Sequence, residues 1–232
     1  MFSFSLDGIR PEQLGILVVT RPDIPAPERN VEFTTIPGRN GSLKRDYGTY
    51  NDVTISIDLN FMTSPDQWND TFRAAKRWLI KGGERKLVFS DDTDFFRIVK
   101  NIVIDQGERT TRRLGKFTAE FTCDPFNYKV GSDVFQTLPT EFYNDINETM
   151  PIYKITGEGV CTLTVNGNEM TANVGQGIII DTRRQIAYKA DGTRQDAQVS
   201  GDYMDLHIIE GDNSISITSG FALEIAPYFC SI

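Results

Sequence analysis

The clearest pattern in the chain is a strict alternation. Val53, Ile55, Ile57, Leu59 and Phe61 are separated by Thr54, Ser56, Asp58 and Asn60, and a period of two predicts a strand with one buried face. The period then lengthens. In SPDQWNDTFRAAKRWLIKGG, Trp68, Phe72, Ala75 and Leu79 fall on one face of a helix. Ser64 as cap, Pro65 in the first turn and Gln67 completing a capping box predict its start. Gly82 and Gly83 predict its end, with Lys81 near the negative pole of the dipole. Docked on a sheet, Trp68, Phe72 and Leu79 would each contribute about 1.5–3 kcal/mol by burial. RKLVFS, FFRIVKNIVID and KFTAEFTCDPF predict further strands. In the last of these, Phe117, Ala119, Phe121 and Cys123 share one side, and Lys116, Thr118, Glu120 and Thr122 the other.

After YKVGSDVFQTLPT, which has no period and reads as a connection, the pattern is strand and turn alone. CTLTVNGNEMTA predicts a hairpin, because Asn166-Gly167 favours the type I′ turn whose twist matches its flanking strands. A two-residue turn pairs Val165 with Asn168, Leu163 with Met170 and Cys161 with Ala172. QGIIID, QIAYKA, DLHIIEG, NSISITSG and ALEIAPYF predict more short strands, which at this spacing indicate a sandwich. The expectation is a mainly β protein of two domains. Residues 1–130 would form a β-sheet domain with one packed α-helix, and residues 131–232 a β-sandwich without one.

Charge divides the chain at the same place. Residues 1–130 hold 19 Lys+Arg against 18 Asp+Glu, and residues 131–232 hold 5 against 14, which gives +1 and −9 within a net −8. Such a step suggests two units with different surroundings. The acidic half would repel phosphates, so nucleic acid is not expected as a direct ligand. No apolar run reaches the roughly 20 residues that span a bilayer, so no membrane partner is expected. MFSFSLDGIR lacks the basic and apolar regions of a secretory signal, so synthesis in a cytosol is the expectation. Cys123, Cys161 and Cys230 are odd in number and widely spaced, which argues against a disulfide framework or a zinc site.

Catalytic chemistry finds little support in these residues. His207 is the single histidine; it is either a core-edge residue with one hydrogen bond or a general base oriented by Asp205. No nucleophile elbow accompanies it. Asp91, Asp92 and Asp94 read as a solvated hairpin turn. They fail the calcium-loop pattern, because Phe96 stands where that loop needs glycine. A sugar platform would need flat exposed aromatics. Trp68 and Trp78 lie in the predicted helix, leaving Tyr143, Tyr153, Tyr188, Tyr203 and Tyr228 in the second half. Arg109, Arg112 and Arg113 form a basic cluster, read either as a solvated loop or as a contact with an acidic surface of another subunit. No catalytic, cofactor-binding or metal-binding residue is assigned.

One stretch fits none of these classes. IPGRNGSLKRDYGTY, residues 36–50, has the wrong glycine spacing for a phosphate loop, lacks the Gly-Lys-Ser/Thr ending and runs into a strand rather than a helix.

The order of the pieces resembles the distal tail proteins (Dit) of long-tailed bacteriophages and prophages. The resemblance spans FSFSLDGIRPEQLGILV, IPGRNGSLKRDYGTY entering a strand, the Trp-containing helix and FTCDPFNY. It continues through PIYKITGEGVCTLTVNG, IIIDT, EGDNSISI and LEIAPYF. It implies an N-terminal β-sandwich with one helix that forms a six-membered ring, and a galectin-like or carbohydrate-module-like C-terminal β-sandwich. The implied role is a non-enzymatic virion hub joining the major tail tube protein to the baseplate, the tail-associated fibre or lysin protein and receptor-binding proteins. A carbohydrate-binding adhesion module is the alternative. The long insertions that bind wall sugar in some members are missing here. Within a ring, Pro37, Gly38, Arg39, Gly41, Lys44, Arg45, Tyr47 and Gly48 are the candidate subunit-contact residues. The glycines permit unusual backbone shapes, Pro37 stiffens the segment, and the side chains offer polar and aromatic groups. A brace across the chain's own sheet edge is the other reading.

Overall fold

The alternating stretch forms a strand, Val53–Met62, buried on the predicted side. A computed structural model describes residues 2–232, and the chain divides into two compact units, one running to Asn127 with Ile232 added and one spanning Tyr128–Ser231. The first unit holds β1 (Phe4–Leu6), β2 (Ile16–Val18), β3 (Arg29–Thr35), β4 (Ser42–Tyr50) and β5 (Val53–Met62). Helix α1 (Trp68–Leu79), β6 (Arg85–Phe89), β7 (Asp92–Ile104) and β8 (Leu114–Cys123) complete it. Six of these strands hydrogen-bond in the order β1-β6-β7-β8-β5-β2. The Phe4 ring on β1 meets Phe121 on β8 at 5.7 Å although two strands lie between them. The sheet is therefore curled around its core.

Helix α1 closes that core with Trp68, Ala75 and Leu79, and Phe72 packs at its margin. Trp78 is buried too, stacked on Phe4 at 5.9 Å, so the buried face is wider than the predicted stripe. The predicted capping box does not form. Residues Ser64–Gln67 make a turn, with the Gln67 N–H bonded to the Ser64 carbonyl at 3.1 Å, and the helix starts only at Trp68. At the other end Arg85, not Lys81, serves the open carbonyls. Its Nη1 donates to the Trp78 and Leu79 oxygens at 2.6 and 3.2 Å, while its Nε pairs with Asp7 at 2.6 Å. The aspartate turn is shorter than read: Phe89 pairs with Asp92, so Ser90 and Asp91 form the turn and Asp94 lies on β7.

At the boundary β9 (Asn127–Lys129) pairs with β17 (Cys230–Ser231), and the second unit holds a seven-stranded sheet. That sheet is built on β11 (Ile152–Val165) and β12 (Asn168–Asp181), paired along their whole length in the predicted register. Asn166 and Gly167 have φ of 50° and 87°, as a type I′ turn requires. β10 (Glu141–Asn144) pairs with β15 (Gly211–Ile217), which joins the turn end of β11; β16 (Ala222–Ala226) joins its opposite end. β13 (Ile186–Tyr188) and β14 (Val199–Ser200) divide β12 in the same way. The two halves of one hairpin thus carry different neighbours, yet line one core.

Tyr153 is fully buried there and donates its hydroxyl to the Leu206 carbonyl at 2.7 Å. Burial pushes that hydroxyl far above its usual range, so it remains a donor. Tyr153→Phe leaves the carbonyl without this donor and is expected to cost about 1–3 kcal/mol, read as a lower urea midpoint with an unchanged slope.

Candidate functional site

The stretch at residues 36–50 is not the loop its glycines suggest. Ser42–Tyr50 is a strand, β4, paired antiparallel with β3 in a two-stranded sheet of their own. Pro37, Gly38, Arg39 and Gly41 lie in the connection, and Lys44, Arg45, Tyr47 and Gly48 lie on β4. The Arg39 N–H bonds the Ile36 carbonyl at 3.1 Å around Pro37 and Gly38, and Gly38 has a φ of 82°. That is a type II turn, with proline and glycine at the positions that favour them.

Register explains Gly48. Val31 opposes Asp46, but the next pair is Arg29 with Tyr50, so Tyr47, Gly48 and Thr49 together oppose Asn30. Gly48 takes a φ of 73° in this bulge, and its N–H donates to Asp46 Oδ1 at 3.0 Å. Arg29 Nε pairs with the same carboxylate at 2.9 Å. The Gly48 N–H and then the Arg29 guanidinium hold the Asp46 carboxyl below its usual range.

Paired residues share a side of a sheet, so the candidate residues divide between two faces. Glu32, Arg45 and Tyr47 stand together: the Tyr47 hydroxyl donates to Glu32 Oε2 at 2.6 Å, and the Arg45 guanidinium lies 4.9 Å over the Tyr47 ring. Lys44 is on the other face, opposite Phe33. Neither face is covered. Every residue from Glu32 to Thr49 is exposed, including Phe33 at 63%, Leu43 at 47% and Tyr47 at 44%. An isolated two-stranded sheet is marginal in water, and its outer edges offer unpaired backbone groups.

The other candidates are placed differently. His207 is buried, but Nδ1 lies 2.7 Å from Glu148 Oε1, not beside Asp205. The bridge between Thr149 and Ile208 brings residues 148 and 207 together, whereas Asp205 sits in a short 3-10 turn. The general-base pair considered for His207 is not formed. Arg109 braces its own unit, donating to the Pro65 and Arg112 carbonyls at 3.0 and 2.8 Å and lying 5.4 Å over Trp68. Both tryptophans are core residues; of the five tyrosines considered for sugar, Tyr143 on β10 is exposed and Tyr153 is buried. No helix among the described residues is long and apolar enough to cross a membrane.

No family model matches the chain, and no curated protein matches it in sequence. Among solved structures it is similar to the crystal structure of the Dit protein (gp 19.1) of phage SPP1, described as a paradigm of hub adsorption apparatus in Gram-positive infecting phages. The match covers 100% of this chain and 98% of that one, with a TM-score of 0.67 and 14% sequence identity. The likeness to distal tail proteins read from the sequence therefore holds for the fold, over both units.

Proposed function

We propose, from that fold, that the chain is a structural hub of a phage tail tip. Its copies join side by side in a ring, six-membered by analogy with the distal tail proteins, and act by assembly rather than by turnover. On this reading it is made in the bacterial host and resides in the virion. There it links the tail tube to the tail-associated fibre or lysin protein and to receptor-binding proteins.

The observation that carries the reading is the β3–β4 arm, exposed on both faces and along both edges. A closed ring needs head-to-tail contacts, in which one patch meets a different patch on the next copy. A projecting arm with exposed Phe33, Leu43 and Tyr47, flanked by Arg39, Lys44 and Arg45, supplies one half of such a contact. Aromatic and arginine anchors commonly contribute about 2 kcal/mol or more each, roughly thirtyfold in affinity.

The test is absolute mass by light scattering, for the full chain alone and with its tail neighbours. Arg39→Ala combined with Tyr47→Ala is expected to lower the mass at concentrations where the parent assembles. An equally heavy double variant removes the arm from the contact. A parent that stays a single protomer even beside its neighbours removes the ring.

A further inference from the structure

Two arginines, Arg85 and Arg97, are buried on the core-facing side of the first unit's sheet, at 5% and 9% exposure. Arg85 is fully engaged, by Asp7 and by the two carbonyls at the end of α1. Arg97 is not. It stands on β7 opposite Leu87, two residues from Val99, which opposes Cys123. Leu87, Val99 and Cys123 all belong to the core. Among the described residues the Arg97 guanidinium makes no hydrogen bond and no ion pair. Asp92 and Cys123 act on it only through space. Burial pushes the Cys123 thiol up to about 12, so near neutral pH it carries no compensating charge.

A guanidinium stays protonated at any ordinary pH, and a buried cation without a counter-charge is unfavourable. The Arg97 nitrogens are not among the polar atoms wholly sealed from solvent, so the guanidinium keeps some contact with it. We propose that Arg97 is the base of an oxyanion-binding site, taking a carboxylate or a tetrahedral oxyanion through the guanidinium fork. The fork matches such groups with two parallel donors. The same chemistry can come from a free ion or from an aspartate or glutamate of another copy; residues 131–232 carry 14 acidic side chains against 5 basic ones.

Both tryptophans lie in α1, so tryptophan fluorescence reports melting of this unit in the full chain. Sodium sulfate and sodium acetate, each compared with sodium chloride at equal ionic strength, are expected to raise the parent's Tm by about 3 °C or more beyond Arg97→Met. General salt effects act on both proteins alike and cancel in that difference. Without oxyanion, Arg97→Met is expected to melt at or above the parent, and Arg97→Lys to keep less than half of the oxyanion response. Equal responses in parent and Arg97→Met overturn the site. So does an Arg97→Met protein that melts well below the parent or fails to fold, since Arg97 would then be satisfied within its own chain. Light scattering separates the two sources. A mass that falls with sulfate and with Arg97→Met assigns the carboxylate to a second copy; an unchanged mass with the melting difference retained assigns a free ion.

Discussion

Phe61→Ala is expected to destabilise the first unit by about 3–5 kcal/mol, the range for removing a large buried aromatic. Phe61 is 1% exposed and lies among Trp68, Phe72 and Phe117, with ring centroids at 5.4, 6.3 and 6.4 Å. The opposing residue on β8 is Gly115, and a Cβ built there would fall 2.3 Å from the Phe61 ring. The ring thus occupies space that its cross-strand partner leaves open. Once it is removed, the glycine has no side chain to move in, so the cavity persists and the cost falls at the high end. Urea unfolding followed by tryptophan fluorescence measures it directly, because Trp68 touches the deleted ring. A loss below about 1 kcal/mol would show that helix and sheet repack freely.

Gly157→Ala is expected to cost the second unit about 2–6 kcal/mol. Two independent terms add here. Gly157 has a φ of 155°, a region that side chains rarely adopt, at about 1–3 kcal/mol. Its added Cβ would also lie 2.3 Å from the Phe221 ring, which packs on the core, and displacing such a ring costs about 1–3 kcal/mol. Gly159→Ala separates the terms, because Gly159 has a φ of 107° but nothing within 4 Å of a built Cβ. Calorimetry should rank Gly157→Ala clearly below Gly159→Ala. Equal losses would mean that Phe221 yields without cost.

What the sequence made legible was whatever places apolar residues on one side. The alternation of β5 and β8, the stripe on α1 and the Asn166-Gly167 turn each encode a burial pattern or a backbone shape locally, and each is found where expected. The β3–β4 arm escaped for the converse reason. Its strands bury neither face, so Phe33 and Leu43 stand among polar residues without a period that marks a core. Only Pro37-Gly38 and the three glycines betrayed it, and they speak of turns rather than of the strand between them. The start of α1 differs from the expectation because Ser64, Pro65 and Gln67 suit a turn as well as a cap. The His207–Glu148 pair joins residues 59 positions apart, and the solitary Arg97 depends on what fails to come near it. Neither kind of fact is written in local spacing. The sequence resemblance located the arm as a contact candidate, while its form came from pairing alone.

The long β11–β12 hairpin bears on how the second unit comes into being on the ribosome. Its two strands are adjacent in the chain, joined by two residues, and supply most of the apolar side chains of that core. Closing such a short loop is fast and entropically mild. Once the chain has been made to Asp181, both strands of this pair are available to close, marginal by themselves like any two-stranded sheet. Strands β13 to β16 can then complete them in order of synthesis, so the non-local pairings of the sheet come last.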